Sequence, residues 1–213
     1  MKWIYGSRGI LVSMDDIKNW LQTGSINLFG LPFAGKDTQG KVLAESFKGV
    51  LISGGDILRH DHGNKKVQEI MATGGIIPSE LFEEIVIPFL SRPELEGHPL
   101  ILSEVGRVHG EAEITLKATE QTGHQTKAVI FLTMSEDEVW KRFIVSQETH
   151  DRGTRADDNR AVLQNRLDRF REKVLPVINY YRDLQLLIEI DGSQSKEQVT
   201  SDIIESLKDF ATH

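Results

Sequence analysis

Lys36 stands in GLPFAGKDTQ, residues 30 to 39. Gly30 and Gly35 free the backbone to turn its N–H groups outward, and a following helix start would add the positive end of its dipole. Lys36 adds a mobile full charge. Together these make a cradle for phosphate. G-L-P-F-A-G-K fills the first seven positions of G-x-x-x-x-G-K-[ST]; Asp37 takes the eighth and Thr38 follows it. Elsewhere the chain sets out Arg59, Arg107, Arg142, Arg155 and Arg166 in separate segments. Planar guanidinium forks match phosphate oxygens, so with Lys36 they suit chemistry that brings two polyanions together.

Those residues need elements to hold them. Five short apolar runs read as buried strands: residues 26–29, 50–52, 100–102, 128–132 and 187–190. Helical patterns lie between them. GKDTQGKVLAESF carries Val42, Leu43 and Phe47 on one side, SELFEEIVIPFL is amphipathic after Pro78, and SEDEVWKRFIV has Ser135 as its N-cap. Residues 156–184 form a long helix with a break at Pro176, and SKEQVTSDIIESLKDF is a last amphipathic helix with Val199, Ile203, Ile204 and Leu207 facing inward. Strand alternating with helix predicts an α/β fold, a parallel sheet with helices on both faces and a site beyond the strands' carboxyl ends. Residues 1–24 read as an N-terminal extension in which Ser13 caps a short helix with Ile17, Trp20 and Leu21 on its apolar face. That helix packs on the core, or serves as an arm for contacts with a partner.

The composition narrows the class. The chain has 213 residues, a net charge of -7 and no cysteine. The length suits one domain. The acidic balance speaks against nucleic-acid binding, and the missing cysteines predict a reducing, cytoplasmic setting without disulfides or thiolate metal sites. No apolar run reaches the roughly 20 residues that cross a bilayer. A monomer without a membrane partner is expected.

The loop GLPFAGKDTQ resembles the G-x-P-G-x-G-K-G-T-Q of adenylate kinases and related nucleoside monophosphate kinases, and the likeness extends over almost all of residues 25–210. ISGGDILR resembles their S-T-G-D-x-L-R, LILSEVGR their L-L-D-G-F-P-R, and RADDNRAVLQNR with PVINYY their R-x-D-D-x(7)-R and P-L-I-x-Y-Y. The last set is the most specific, since several spacings agree at once.

The resemblance implies a P-loop NTPase-type five-stranded parallel sheet and transfer of the γ-phosphoryl of ATP to a nucleoside monophosphate, with Mg2+ as cofactor. It implies a kinase-like domain over residues 25–213, an acceptor flap over about 53–84 and a short lid over about 143–154. Lys36, Arg142, Arg155 and Arg166 would be catalytic. ATP would meet Gly30, Ala34, Gly35, Lys36, Asp37, Thr38, Arg142 and Gln194. The monophosphate would meet Gly54, Asp56, Arg59, Ile77, Arg107, Glu111, Arg155 and Arg166. Arg152, Asp157 and Asp158 would belong to the lid. Thr38 and waters would hold the magnesium, with Asp37 and Asp56 as further candidates.

Several positions depart from the family pattern. Phe33 and Asp37 replace glycines, Gly54 a threonine that meets the acceptor base, and Ser146 a second lid arginine. Ser103 replaces an aspartate that helps hold the magnesium's waters. Glu104 adjoins it, but neighbours on a strand point opposite ways, so it replaces the aspartate only if the strand shifts by one, and Asp37 is the expected compensation. Glu111 replaces a glutamine that reads adenine. An ionised carboxylate only accepts hydrogen bonds, and guanine presents two adjacent donors, so GMP becomes a candidate acceptor beside AMP. An alternative on the same fold is a catalytically weakened, nucleotide-binding regulatory protein; a weaker one is a P-loop kinase of another small metabolite.

Other features read blandly. His60 and His62 lie on a solvated flap surface, Arg169, Arg171 and Arg182 on a solvated helix face, and His109 has no acid–base role. Trp140, Phe143, Tyr180 and Tyr181 are core or interface aromatics.

Overall fold

The computed structural model describes residues 13–60, 67, 69, 77–149 and 159–212. Five strands form one sheet: β1 Ser25–Gly30, β2 Val50–Ser53, β3 Leu100–Ser103, β4 Thr126–Thr133 and β5 Leu187–Asp191. Their order is β2-β3-β1-β4-β5, and every neighbouring pair is parallel. Every apolar run lies within a strand, which extends it by one to three residues. The register sets Leu28 beside Ser103, and Ser103 beside Ser53. The carboxyl ends of β1, β2 and β3 therefore meet at one edge, where the site lies.

Among the described residues the α-helices with described bounds are α1 Met14–Leu21, α2 Lys36–Phe47, α3 Gly54–His60, α4 Ser79–Leu90, α5 His109–Gln121, α6 Glu136–Thr149, α7 Arg160–Arg169, α8 Leu175–Asp183 and α9 Lys196–Ala211. Strand β1 is buried throughout, and its alternation splits the core in two. Ile26 and Leu28 face a cluster with Leu43 of α2 and Ile203 and Leu207 of α9. Phe29 faces a cluster with Phe143 of α6, Leu167 of α7 and Tyr181 of α8. A third cluster, with Phe82, Val86 and Phe89 of α4, packs on Ile52 and Leu102. Burying one such side chain stabilises by about 1.5–3 kcal/mol.

Local signals set the ends. Ser13 and Asp16 form a reciprocal capping box at α1, with the Ser13 N–H donating to Asp16 Oδ2 over 2.7 Å. Ser195 Oγ accepts from the Gln198 N–H at 3.2 Å, and Ser135 Oγ from the Glu138 N–H at 3.2 Å. Ile17 and Leu21 are buried in the cluster that holds α9, with Trp20 packed against it. Residues 1–12 of the extension lie outside the described residues.

Two helical expectations change. The break placed at Pro176 is a π-helical turn over Phe170–Val174, so the ring sits at the start of α8, where its missing N–H costs little. Helix α5 crosses from β3 to β4 without any apolar period in the sequence. Its buried face is Glu111, Ala112, Thr115, Ala118 and Thr119, small or polar residues that carry no hydrophobic signal.

Candidate functional site

Strand β1 ends at Gly30 because nothing larger fits: a Cβ there would lie 2.9 Å from the Leu132 carbonyl oxygen. The chain then loops to Gly35, whose φ of +93° makes it a left-handed N-cap of α2. Phe33, where the family has glycine, is also left-handed at φ +66°. Such a non-glycine conformation costs on the order of 1–3 kcal/mol. Burial of the Phe33 ring edge-on to Phe143, centroids 5.9 Å apart, offsets part of that.

Lys36 folds back over this loop. Its Nζ donates to the carbonyls of Gly30 and Leu31, both at 2.8 Å, and pairs with Glu104 Oε1 at 3.3 Å. The glutamate reaches it because β3 stops at Ser103. Glu104 leaves the strand in a left-handed conformation, φ +52°, with its N–H donating to the Leu28 carbonyl at 2.9 Å. The rule of alternating faces therefore ends one residue early. The carboxylate in contact with Lys36 is that of Glu104, and Asp37 is exposed on the first turn of α2.

Neighbours secure this turn. Asn27, an amide in an otherwise apolar strand, donates to the Val105 carbonyl at 2.8 Å and accepts from the Val105 N–H at 3.4 Å. Gly54 lies against it, and a Cβ there would come within 2.9 Å of the Glu104 carbonyl oxygen. Gly106 follows at φ +77°, where a Cβ would lie 2.5 Å from Thr115 Oγ1. Asn27, Gly54, Glu104 and Val105 thus pack as one local unit.

A cavity of about 410 Å³ beside the loop has a lining that includes Phe33, Thr38, Arg142, Ser146, Gln194 and Val199, residues among which the expected donor contacts Thr38, Arg142 and Gln194 fall. Ala34 and Gly35 also face it. Arg142 spans its wall, donating from Nη1 to the Phe33 carbonyl at 3.2 Å and from Nη2 to the Ser193 carbonyl at 2.8 Å. Gln194 Nε2 donates to Asp202 Oδ2 at 2.8 Å. The hydroxyl and N–H of Ser193 hold the Asp191 carboxyl below the usual range and shape the turn. Buried Gln39 ties the P-loop helix to α9, donating to the Lys196 carbonyl at 3.0 Å and accepting from Thr200 Oγ1 at 2.8 Å.

The acceptor-side residues are arranged differently, and none of Gly54, Asp56, Arg59, Ile77, Arg107 and Glu111 lines that cavity. Asp56 Oδ2 accepts from the Ser53 N–H at 2.9 Å and the Ser53 Oγ at 2.7 Å, and Oδ1 from Arg59 Nη2 at 2.8 Å. Burial raises the Asp56 carboxyl, but Ser53 and Arg59 outweigh it and hold it below the usual range. Arg107 is exposed, whereas Ile77 is buried in the cluster around α4. Glu111 is only 9% exposed. Its Oε2 accepts from the N–H groups of Arg107 at 2.9 Å and Val108 at 3.3 Å, so it caps α5. Burial pushes its carboxyl up, against the pull of those N–H groups and of the Arg107 charge.

Arg166 lies half-buried on α7. Arg152, Arg155, Asp157 and Asp158, read as lid and catalytic residues, lie outside the described residues, as do Asp61 and His62. His109 is exposed and pairs with Glu113 at 3.6 Å. Arg171 and Arg182 hold surface ion pairs, with Glu136 and with Glu189. Phe143 and Tyr181 are buried, with Trp140 and Tyr180 packed against their cluster. Sequence reasoning missed Asn27, whose signal was one amide in SINLFG, and set Glu104 aside because the left-handed φ that turns it toward Lys36 has no local signal.

The adenylate kinase family model matches residues 28–186. The chain is 31% identical to the adenylate kinase of Nocardioides sp., across 84% of this chain and 95% of that one. It is 32% identical to adenylate kinase 1 of Nostoc sp., across 82% and 93%, and 33% identical to the adenylate kinase of Hyphomonas neptunium, across 86% and 98%.

Proposed function

The chain belongs to the adenylate kinase family, and on that premise we propose that it transfers the γ-phosphoryl of ATP to AMP. The observation that carries this reading is the loop from Gly30 to Gly35, which turns Lys36 over the carboxyl end of β1 beside a cavity of nucleotide size.

ATP takes the cavity between the loop and the Ser193–Gln194 turn, with its phosphates at the start of α2. Arg142 fixes that wall, and Lys36 stabilises charge as it develops on the transferring group. Arg59 and Arg107 take the acceptor phosphate as guanidinium forks. An acceptor phosphate oxygen attacks the γ-phosphorus, the bond to the β–γ bridging oxygen breaks, and the two diphosphates leave. The acceptor brings its own anionic nucleophile, so His109 needs no role as a base. Arg155 and Arg166, with Arg152, Asp157 and Asp158 orienting the lid, complete the ring of charge by family pattern.

Magnesium arriving with ATP would neutralise part of the triphosphate charge. The groups around Lys36 suit it, because the Thr38 hydroxyl and the Glu104 and Asp37 carboxylates are hard oxygen donors. Asp56, with both oxygens engaged by Ser53 and Arg59, anchors the start of the flap instead.

Glu111 favours a second acceptor. Burial favours its neutral form, whose O–H suits adenine N1; ionised, it only accepts, which suits the N1–H and N2 amine of guanine. Falling pH populates the neutral form and favours AMP, whereas rising pH favours GMP. Turnover of AMP and GMP, compared as pH is raised, should shift in ratio toward GMP by about tenfold, the value of one hydrogen bond. Glu111→Gln should flatten that dependence and keep the AMP preference. A constant ratio in the wild type removes Glu111 as the base reader, and no diphosphate from either acceptor removes the kinase reading.

A further inference from the structure

We propose that Glu104 makes capture of the donor conditional on a divalent cation: its carboxylate, fixed beside Lys36, admits the triphosphate when a cation comes with it and opposes the bare anion. The inference rests on the kinase reading above and concerns what this chain's own residues do at that site.

Three observations carry it. First, Lys36 is already occupied. An ammonium has three N–H donors; two go to the Gly30 and Leu31 carbonyls at 2.8 Å, and Glu104 Oε1 faces it at 3.3 Å. A phosphate that engages Lys36 meets this carboxylate as well. Second, the pair is sheltered, with the Lys36 side chain 12% exposed and that of Glu104 25%. Water and salt screen it less than a surface pair, so repulsion between carboxylate and phosphate stays strong. Third, the carboxylate is built in. Glu104 holds a left-handed backbone that glycine would adopt freely, Asn27 grips the next residue from both sides, and Gly54 leaves room for the Glu104 carbonyl. Strain maintained by several partners marks a residue kept for what its side chain does.

The same carboxylate is attractive once a cation lies between it and the phosphates, since two oxygen anions can then share one hard ion. A cation there would compete with Lys36 for the Glu104 carboxylate.

Calorimetric titration of ATP, with excess magnesium and with a chelator, tests this in the full chain. Wild type should bind the chelated nucleotide at least about tenfold more weakly than the magnesium complex, the size of one sheltered charge pair. Glu104→Gln should shrink that ratio to about twofold, mainly by tightening the metal-free complex. Glu104→Gly should shrink it likewise and melt at a higher temperature, because it relieves the left-handed residue; it serves if the glutamine variant folds poorly. A ratio that survives both substitutions overturns the proposal, as does a wild type that binds the two forms equally while still making diphosphates. A wild type that binds neither form overturns the kinase reading and this inference with it.

Discussion

On the donor side, Lys36 and Arg142 donate to carbonyls of residues 30, 31, 33 and 193, groups fixed by β1, the loop and the turn after β5. On the acceptor side, Arg59 touches a carboxylate three residues away on its own helix, and Arg107 is exposed. The first set is held by the tertiary fold and the second by local contacts. Side chains already held by the tertiary fold have less freedom to lose when a substrate arrives. Exposed arginines are cheaper to keep in water, but they lose side-chain freedom when they close on a phosphate. On the proposed reading, the contrast would give stabilisation of the transferring group to the donor side, and capture and release to the acceptor side.

Three substitutions test that division. Lys36→Met should lower the rate of diphosphate formation by about 10³-fold or more, since a fixed donor to the transferring group is lost. A loss confined to substrate affinity would break the contrast. Arg107→Ala should raise the KM for the monophosphate by about 10- to 100-fold, the value of a charge-assisted contact, and leave calorimetric affinity for ATP unchanged. Comparable losses for both nucleotides would show that the two sides are not separable. The smallest effect is expected at Asp56. Its carboxyl lies below the usual range in the folded chain, so its contribution is complete above the ordinary aspartate pKa and lost as pH falls through the lower folded value. Melting curves of Asp56→Asn should therefore converge on wild type in strong acid and separate as pH rises. Parallel curves would mean that Asp56 anchors nothing.

The donor side was also the more legible in the sequence. Gly30, Gly35 and Lys36 sit at a spacing that only a loop between strand and helix satisfies, and the flanking apolar runs give the strands directly. What escaped depends on contacts distant in sequence or on polar burial. Helix α5 hides because its inward face is alanine, threonine and glutamate. The Asn27–Val105 bridge joins residues on β1 and beyond β3, which no local pattern connects. Glu104 is instructive in another way. Alternation along β3 sends its side chain away from the site, and a single left-handed φ brings it back. The approach of Gly54 to the Glu104 carbonyl likewise joins residues far apart in the chain.

The packing of α1 against α9 has a consequence for how the chain is made. Ile17 and Leu21 emerge from the ribosome early, yet the apolar face that covers them, Ile203 and Leu207, is synthesised only after all five strands. Until then the first helix has no lasting place to dock, and short helices alone are marginal in water. The sheet's own strands can pair during translation, whereas this seam can close only afterwards, the final stitch in a fold whose beginning waits for its far end.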